Sequence, residues 1–183
     1  MSKTQASSSD PVLHNLDSML PDLEALYKDV HSHPELSMQE TRTAGLVADR
    51  LRAADYEVTT GVGKTGVVGV LRNGDGPTVM LRADMDALPV EEATGLPYAS
   101  KATATDREGE TVPVSHVCGH DMHVTWLAGA TKLLAEARST WFGNSKRFGS
   151  SLSLLQVAIS LPSRESELDL QRRNHLLGRD FLL

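Results

Sequence analysis

Within eight residues, His116-Val117-Cys118-Gly119-His120-Asp121-Met122-His123, the chain places three histidines, its single cysteine and a carboxylate. Thiolate and neutral imidazole are the ligands that borderline-soft divalent metals prefer, and zinc takes Cys sulfur, His nitrogen and carboxylate oxygen in mixed sets. If residues 116–120 are extended, His116, Cys118 and His120 point to one side of the backbone. A catalytic metal needs at least three protein ligands, so partners are expected elsewhere. The stretch from Thr78 to Pro89 supplies candidates: its apolar run reads as a buried strand, Asp84 and Asp86 share one face where that strand ends, and Pro89 stops the pairing. Ligand sites in open α/β sheets gather at the carboxyl ends of strands, where such carboxylates can bind a metal or orient its ligands. Taken alone, Asp and Pro after a strand are also ordinary turn chemistry.

A thiol mechanism competes with the metal. A cysteine beside a helix N-terminus has a lowered pKa, and Cys118 with His120 or His116 as base would make a nucleophile. The sequence places no third orienting group beside it, and the Asp84/Asp86 strand is then left without a role. The metal reading therefore ranks first.

The elements that must hold these residues are legible from spacing. A helix is predicted from about Ser18 to Val30, with Pro21 in its first turn and Leu23, Leu26, Tyr27 and Val30 on the core side. Ser37 and Glu40 form a capping-box pattern before a second helix, whose stripe is Ala44, Val47, Ala48 and Leu51 and which ends near Ala54. Residues 56–60 and 65–71 read as strands. The run Asn73-Gly74-Asp75-Gly76-Pro77 reads as a hairpin or tight turn into the Asp84 strand. Asp121 caps a third helix running through Leu127, Leu134 and Ala137, with Cys118 and His120 in the loop before it. Gly61, Gly63 and Gly66 are turn glycines, because no phosphate-loop Lys-Ser/Thr follows them at the required spacing.

Four motifs in order, His31-Ser-His33-Pro34-Glu35-Leu36-Ser37, Gly63-Lys-Thr65-Gly66-Val-Val, Leu81-Arg-Ala-Asp84-Met-Asp86-Ala-Leu-Pro89 and Val117-Cys118-Gly119-His120-Asp121-Met122-His123, resemble the amidohydrolase branch of the metal-dependent aminoacylase and carboxypeptidase family, peptidase M20. That branch includes hippurate, N-acyl-amino-acid and auxin-conjugate hydrolases. The resemblance runs from about Leu16 to Trp141. It implies an α/β fold, the three-layer zinc-peptidase-like catalytic domain, here truncated and without the lid and dimerisation domain. It implies that Cys118 and His120 bind metal in a two-metal centre and that Asp86 supports the site. Asp84 stands where relatives outside the branch carry a ligand histidine. His123 lines the pocket, and His31 is favoured as structural. The implied cofactor is zinc or manganese, with cobalt or nickel as alternatives. The implied substrate is a small N-acyl-amino acid or related conjugate, whose amide bond is hydrolysed.

The sequence also departs from that pattern. A proline-alanine-glutamate-glutamate motif, which carries the family's general base and a further ligand, and two later ligand histidines are missing after Trp141. Glu165, Glu167 and His175 stand in settings that do not replace them. Of the chain's 18 basic and 24 acidic residues, six and four fall in residues 142–183, a net of +2, against a net of −8 in residues 1–141. The expected organisation is thus a disordered leader (1–15), the N-terminal part of a metallohydrolase domain (16–141) and a divergent tail (142–183). Such a tail would arise from a shifted or misread frame, or from a short isoform. The chain in this form is expected to be inactive, a non-catalytic fragment whose homo-oligomerisation is lost with the lid.

Other classes are excluded on composition. The tail has too little charge and too few aromatics to bind nucleic acid. Its apolar run, residues 152–161, is far short of the ~20 residues that span a membrane. No signal-peptide core stands at the start, and one cysteine forms no internal disulfide, so a cytoplasmic setting is expected.

Overall fold

The computed structural model describes residues 10–73, 78–140 and, as a strand, Leu154–Ser160. Helix α1 (Leu16–Ser32) buries Met19, Leu26, Val30 and His31 along one stripe. It starts earlier than Ser18, which leaves Pro21 inside the helix rather than in its first turn. The proline forfeits only the bond to the Asp17 carbonyl, and its fixed φ suits the helix. A short 3-10 turn, Pro11–Leu13, leads in, so residues 10–15 of the expected leader are structured and residues 1–9 lie outside the described part. Asn15 ties this start to helix α3 (His120–Glu136) through Glu136 at 2.9 Å.

Helix α2 (Thr41–Ala53) buries Thr43, Ala44, Val47, Ala48 and Leu51. The expected Ser37 and Glu40 capping box is not what starts it. Glu35 reaches over instead, its carboxylate accepting from the backbone N–H of Arg42 at 2.9 Å and of Thr43 at 2.8 Å. A carboxylate at that end satisfies two otherwise orphaned donors and meets the positive end of the helix dipole. Glu40 turns inward, fully buried, and accepts from the Thr65 hydroxyl at 2.6 Å and the Met38 N–H at 3.0 Å. It thereby pins the strand turn to the helix start.

Strands β1 (Glu57–Val62), β2 (Gly66–Leu71), β3 (Thr78–Asp84) and β6 (Leu154–Ser160) form a sheet in the order β1-β2-β6-β3. β1 pairs antiparallel with β2, while β6 lies parallel to β2 and antiparallel to β3. The expected hairpin between β2 and β3 is therefore corrected, because β6 stands between them. Residues 74–77 of that turn lie outside the described part. β3 is also less buried than its apolar run suggests: Val79 and Met80 are exposed, and only Ala83 within the strand is buried. It is an outer strand of this sheet, as β1 is at the other end, and one flank has no described neighbour. A short second hairpin, β4 (Thr103–Thr105) with β5 (Thr111–Pro113), was not foreseen.

α2 packs on β1 and β2, α3 (His120–Glu136) packs on β3, and α1 and α2 both touch α3. The described residues thus build a helical layer on a sheet, a mixed α/β architecture. Its core joins Leu26 and Val30 of α1, Val47 and Leu51 of α2, Val67 and Leu71 of β2, and Val124 and Leu127 of α3. Packing is close enough to require glycine at one point. A Cβ on Gly69 would sit 3.0 Å from a Leu51 methyl and 3.3 Å from the Tyr56 ring. Tyr56 crosses the core to donate to the Thr131 carbonyl at 3.0 Å, and burial pushes its phenol pKa well up.

Candidate metal centre

After β3 the chain stays extended, and burial alternates. Met85 and Ala87 are fully inside while Asp84 and Asp86 are only partly covered, so the two carboxylates face one way. The segment is clamped from both sides. Ala87 N–H donates to the Glu35 carbonyl at 2.8 Å, and Leu88 and Ser115 exchange backbone bonds at 3.1 and 3.0 Å. That clamp brings the stretch before Cys118 alongside the Asp86 segment.

Gly119 then takes φ 77°, a left-handed turn that lets α3 begin at His120. His120 is consequently the first helical residue and not a loop residue. The expected alternation of His116, Cys118 and His120 on one side also fails at this turn: His116 is buried, and Cys118 is exposed. His120 and His123 lie one turn apart on the same helix face, with ring centroids 5.4 Å apart. Trp126 continues that face, 5.8 Å from His123 and largely exposed.

Among the described residues, Asp84, His120 and His123 bring one ligand atom each to within 4.8 Å of one another. The Nδ1–H of His120 donates to Asp86 twice, to its carbonyl at 2.9 Å and its carboxylate at 3.0 Å. That fixes the tautomer and leaves Nε2 as the lone-pair nitrogen, the arrangement in which a carboxylate orients a metal-binding histidine. Two imidazoles and a carboxylate form a donor set that suits a divalent ion with an open coordination position. Metal–nitrogen bonds of about 2.0–2.1 Å at tetrahedral angles put donors about 3.4 Å apart, so the present spacing needs only a small closure. Arg82 also donates to Asp84, at 2.7 Å, beside the pair of rings.

Of the residues singled out by sequence, the fold gathers Asp84, Asp86, His120 and His123. Cys118 stands outside the group of three ligand atoms. His116 lies deeper, with neither ring nitrogen partnered among the described residues. Burial pushes its pKa down to about 4; Asp121 pulls the other way, while His31 and His120 add to the fall. His116 is therefore neutral near pH 7. His31, read as structural, is the hub of a buried array: Nδ1 is 2.6 Å from Asp121 and Nε2 is 3.1 Å from Glu92. Glu92 escaped the sequence reading because its partner lies 61 residues away, and nothing local marks it.

Residues 80–147 match the family described as Peptidase family M20/M25/M40. The chain is similar to the hippurate hydrolase of Campylobacter jejuni, with 48% identity over 115 residues covering 62% of this chain and 28% of that protein. It is similar to the N-acetyl-L-cysteine deacetylase of Bacillus subtilis, with 37% identity over 141 residues covering 76% of this chain and 31% of the relative. The fold matches the crystal structure of a dinuclear metal binding peptidase of the M20 family from Bacillus subtilis with a TM-score of 0.58 at 29% identity, covering 78% of this chain and 35% of that one. The chain thus spans less than a third of the length of the two curated relatives. A sequence match, curated relatives and a solved structure agree, and the chain belongs to peptidase family M20/M25/M40.

Proposed function

We propose that this chain carries part of the metal centre of an amidohydrolase that cleaves the amide bond of N-acyl amino acids or related conjugates. The observation that supports this reading most is the convergence of Asp84, His120 and His123, with Asp86 holding His120 in the tautomer a metal requires. Hippurate and N-acetyl-L-cysteine, named for the two relatives above, are both N-acyl amino acids. A divalent ion, when bound, polarises the scissile carbonyl and lowers the pKa of a water. His120 and His123 present imidazole nitrogen, Asp84 adds a carboxylate, and Asp86 keeps the His120 ring from turning. Cys118, two residues before His120, is a further ligand by resemblance. Zinc or manganese fits such a set, and cobalt and nickel are tolerated by the same donors.

The step this sequence does not supply is proton removal from the water. No proline-alanine-glutamate-glutamate segment stands among the 183 residues, so this chain on its own binds metal without turning substrate over. The proposed organisation is a metallohydrolase portion over residues 16–141 followed by a divergent tail, whose residues 154–160 add a strand to the same sheet, in a cytoplasmic setting. No described helix is long and apolar enough to cross a membrane. The exposure of Cys118 favours one second reading, a thiol hydrolase.

Metal content of purified wild type, Cys118→Ser and His120→Ala, with hydrolysis of an N-acyl amino acid on the same samples, separates these readings. Stoichiometric metal that is lost in His120→Ala, without turnover, is the expected result. Metal-free protein whose hydrolysis depends on Cys118 would replace the metal reading by the thiol one.

A further inference from the structure

We infer that His31 is a positioning residue for the metal centre, acting through a buried carboxylate–imidazole–carboxylate array that sets where α3 presents His120 and His123; the inference rests on the metal reading of that site. His31 lies 2.6 Å from Asp121 and 3.1 Å from Glu92, and the side chains are 8% exposed for the histidine and 3% for each carboxylate. Each ring nitrogen faces one carboxylate, so the ring bridges Asp121 and Glu92 from its two sides. Glu92 is itself held by the Ser100 N–H at 2.6 Å and by the Thr94 hydroxyl. The rings of Tyr27 and Tyr98 stand 5.5 and 5.4 Å from His31 and limit its freedom on two further sides.

The array joins three elements by their ends. His31 sits in the last turn of α1, where the helix dipole favours a cation, and Asp121 in the first turn of α3, where it favours an anion. Glu92 belongs to the segment that follows Asp84 and Asp86. Asp121 adjoins His120 and precedes His123 by two residues, so any sideways shift of that first helical turn moves both ligands relative to Asp84. Backbone hydrogen bonds along α3 hold its pitch but do not fix its start laterally. The left-handed Gly119 just before it lacks a side chain to do so. The clip from His31 supplies that lateral restraint without touching the ligand rings, which is the part played by outer partners that hold metal ligands in place.

The test uses the full chain, prepared metal-free as wild type, His31→Gln and Asp121→Asn. Asp121→Asn keeps a hydrogen-bonding group of the same shape and removes only the charge, so it serves if His31→Gln does not fold. Cobalt(II) is titrated into each, its visible ligand-field bands reporting the geometry of the site and circular dichroism the folded fraction. The expected result is cobalt uptake by wild type and, in equally folded variants, affinity lower by about 10–100-fold with altered bands at saturation. Variants that bind as wild type does, with the same spectrum, overturn the inference and leave the metal reading standing. If both variants are unfolded, the array is a strut of the whole fold, and the inference is again overturned. Wild type that takes up no cobalt overturns the metal reading and this inference with it.

Discussion

Replacing Asp86 by alanine should weaken divalent-metal binding by about tenfold while leaving the fold intact. Asp86 holds Nδ1 of His120 with two acceptors, the carboxylate at 3.0 Å and its own carbonyl at 2.9 Å. Alanine removes the first and keeps the second, so the tautomer survives while one of two restraints on the ring is lost. Partners that orient metal-bound histidines account for about 10–100-fold in affinity. The surviving carbonyl places this variant at the low end, about 1.4 kcal/mol. The side chains of His120 and Asp86 are 21% and 22% exposed, so the change strands no deeply buried charge, and the thermal midpoint should move little. Competition for zinc between the protein and a chromophoric chelator measures the effect in wild type, Asp86→Ala and His120→Ala. Asp86→Ala binding as tightly as wild type would refute the orienting role. Binding as weak as that of His120→Ala would make Asp86 a ligand in its own right.

Glu35→Ala should remove the carboxylate that caps α2 and lower stability by about 1–2 kcal/mol, read by denaturant melts and by faster amide exchange at Arg42 and Thr43. Gly119→Ala meets open space but retains φ 77°, so it should cost about 1–2 kcal/mol through backbone strain alone; metal affinity measured alongside shows whether the helix start moves. Two histidines should bend the stability–pH curve in opposite directions. Burial opposes charge on His31, but the hydrogen bonds to Asp121 and Glu92 outweigh it and raise its pKa above 6.5. Its contribution is full below that unfolded value and fades as pH rises through the raised one. His116, pushed down to about 4 by burial, contributes fully above 6.5 and loses that contribution as pH falls towards 4. His31→Gln should flatten the alkaline limb and His116→Gln the acid limb; unchanged slopes would refute the assignments.

The three helices were readable because their apolar residues recur at helical spacing, and the sheet-end carboxylates because Asp84 and Asp86 straddle a buried methionine. The family was readable from four motifs whose order is hard to reach by chance. The rest depended on partners distant in sequence. The cap of α2 by Glu35 has the wrong local spacing for a capping box, and it works only because the His-Pro-Glu turn folds back over the helix start. The exposure of Cys118 follows from one left-handed glycine that breaks the alternation expected of an extended strand. The role of His31 required knowing that α1 ends where α3 begins. The place of β6 could not be inferred from β2 and β3, whose connection looks like a plain hairpin.

The strand order carries a consequence for biosynthesis. β3 ends in Asp84, and its sheet partner at that position is Leu154, some 70 residues later in the chain. Translation at about 5–20 residues per second leaves roughly 4–14 s between the emergence of the two. During that interval β1 and β2 can pair with each other, while β6, the described sheet partner of β3, is still to be made. The nascent chain therefore carries β3, with apolar Val79 and Met80 exposed, before its described sheet partner is made, and a chaperone that shields strand edges should raise its yield more than one that binds helices.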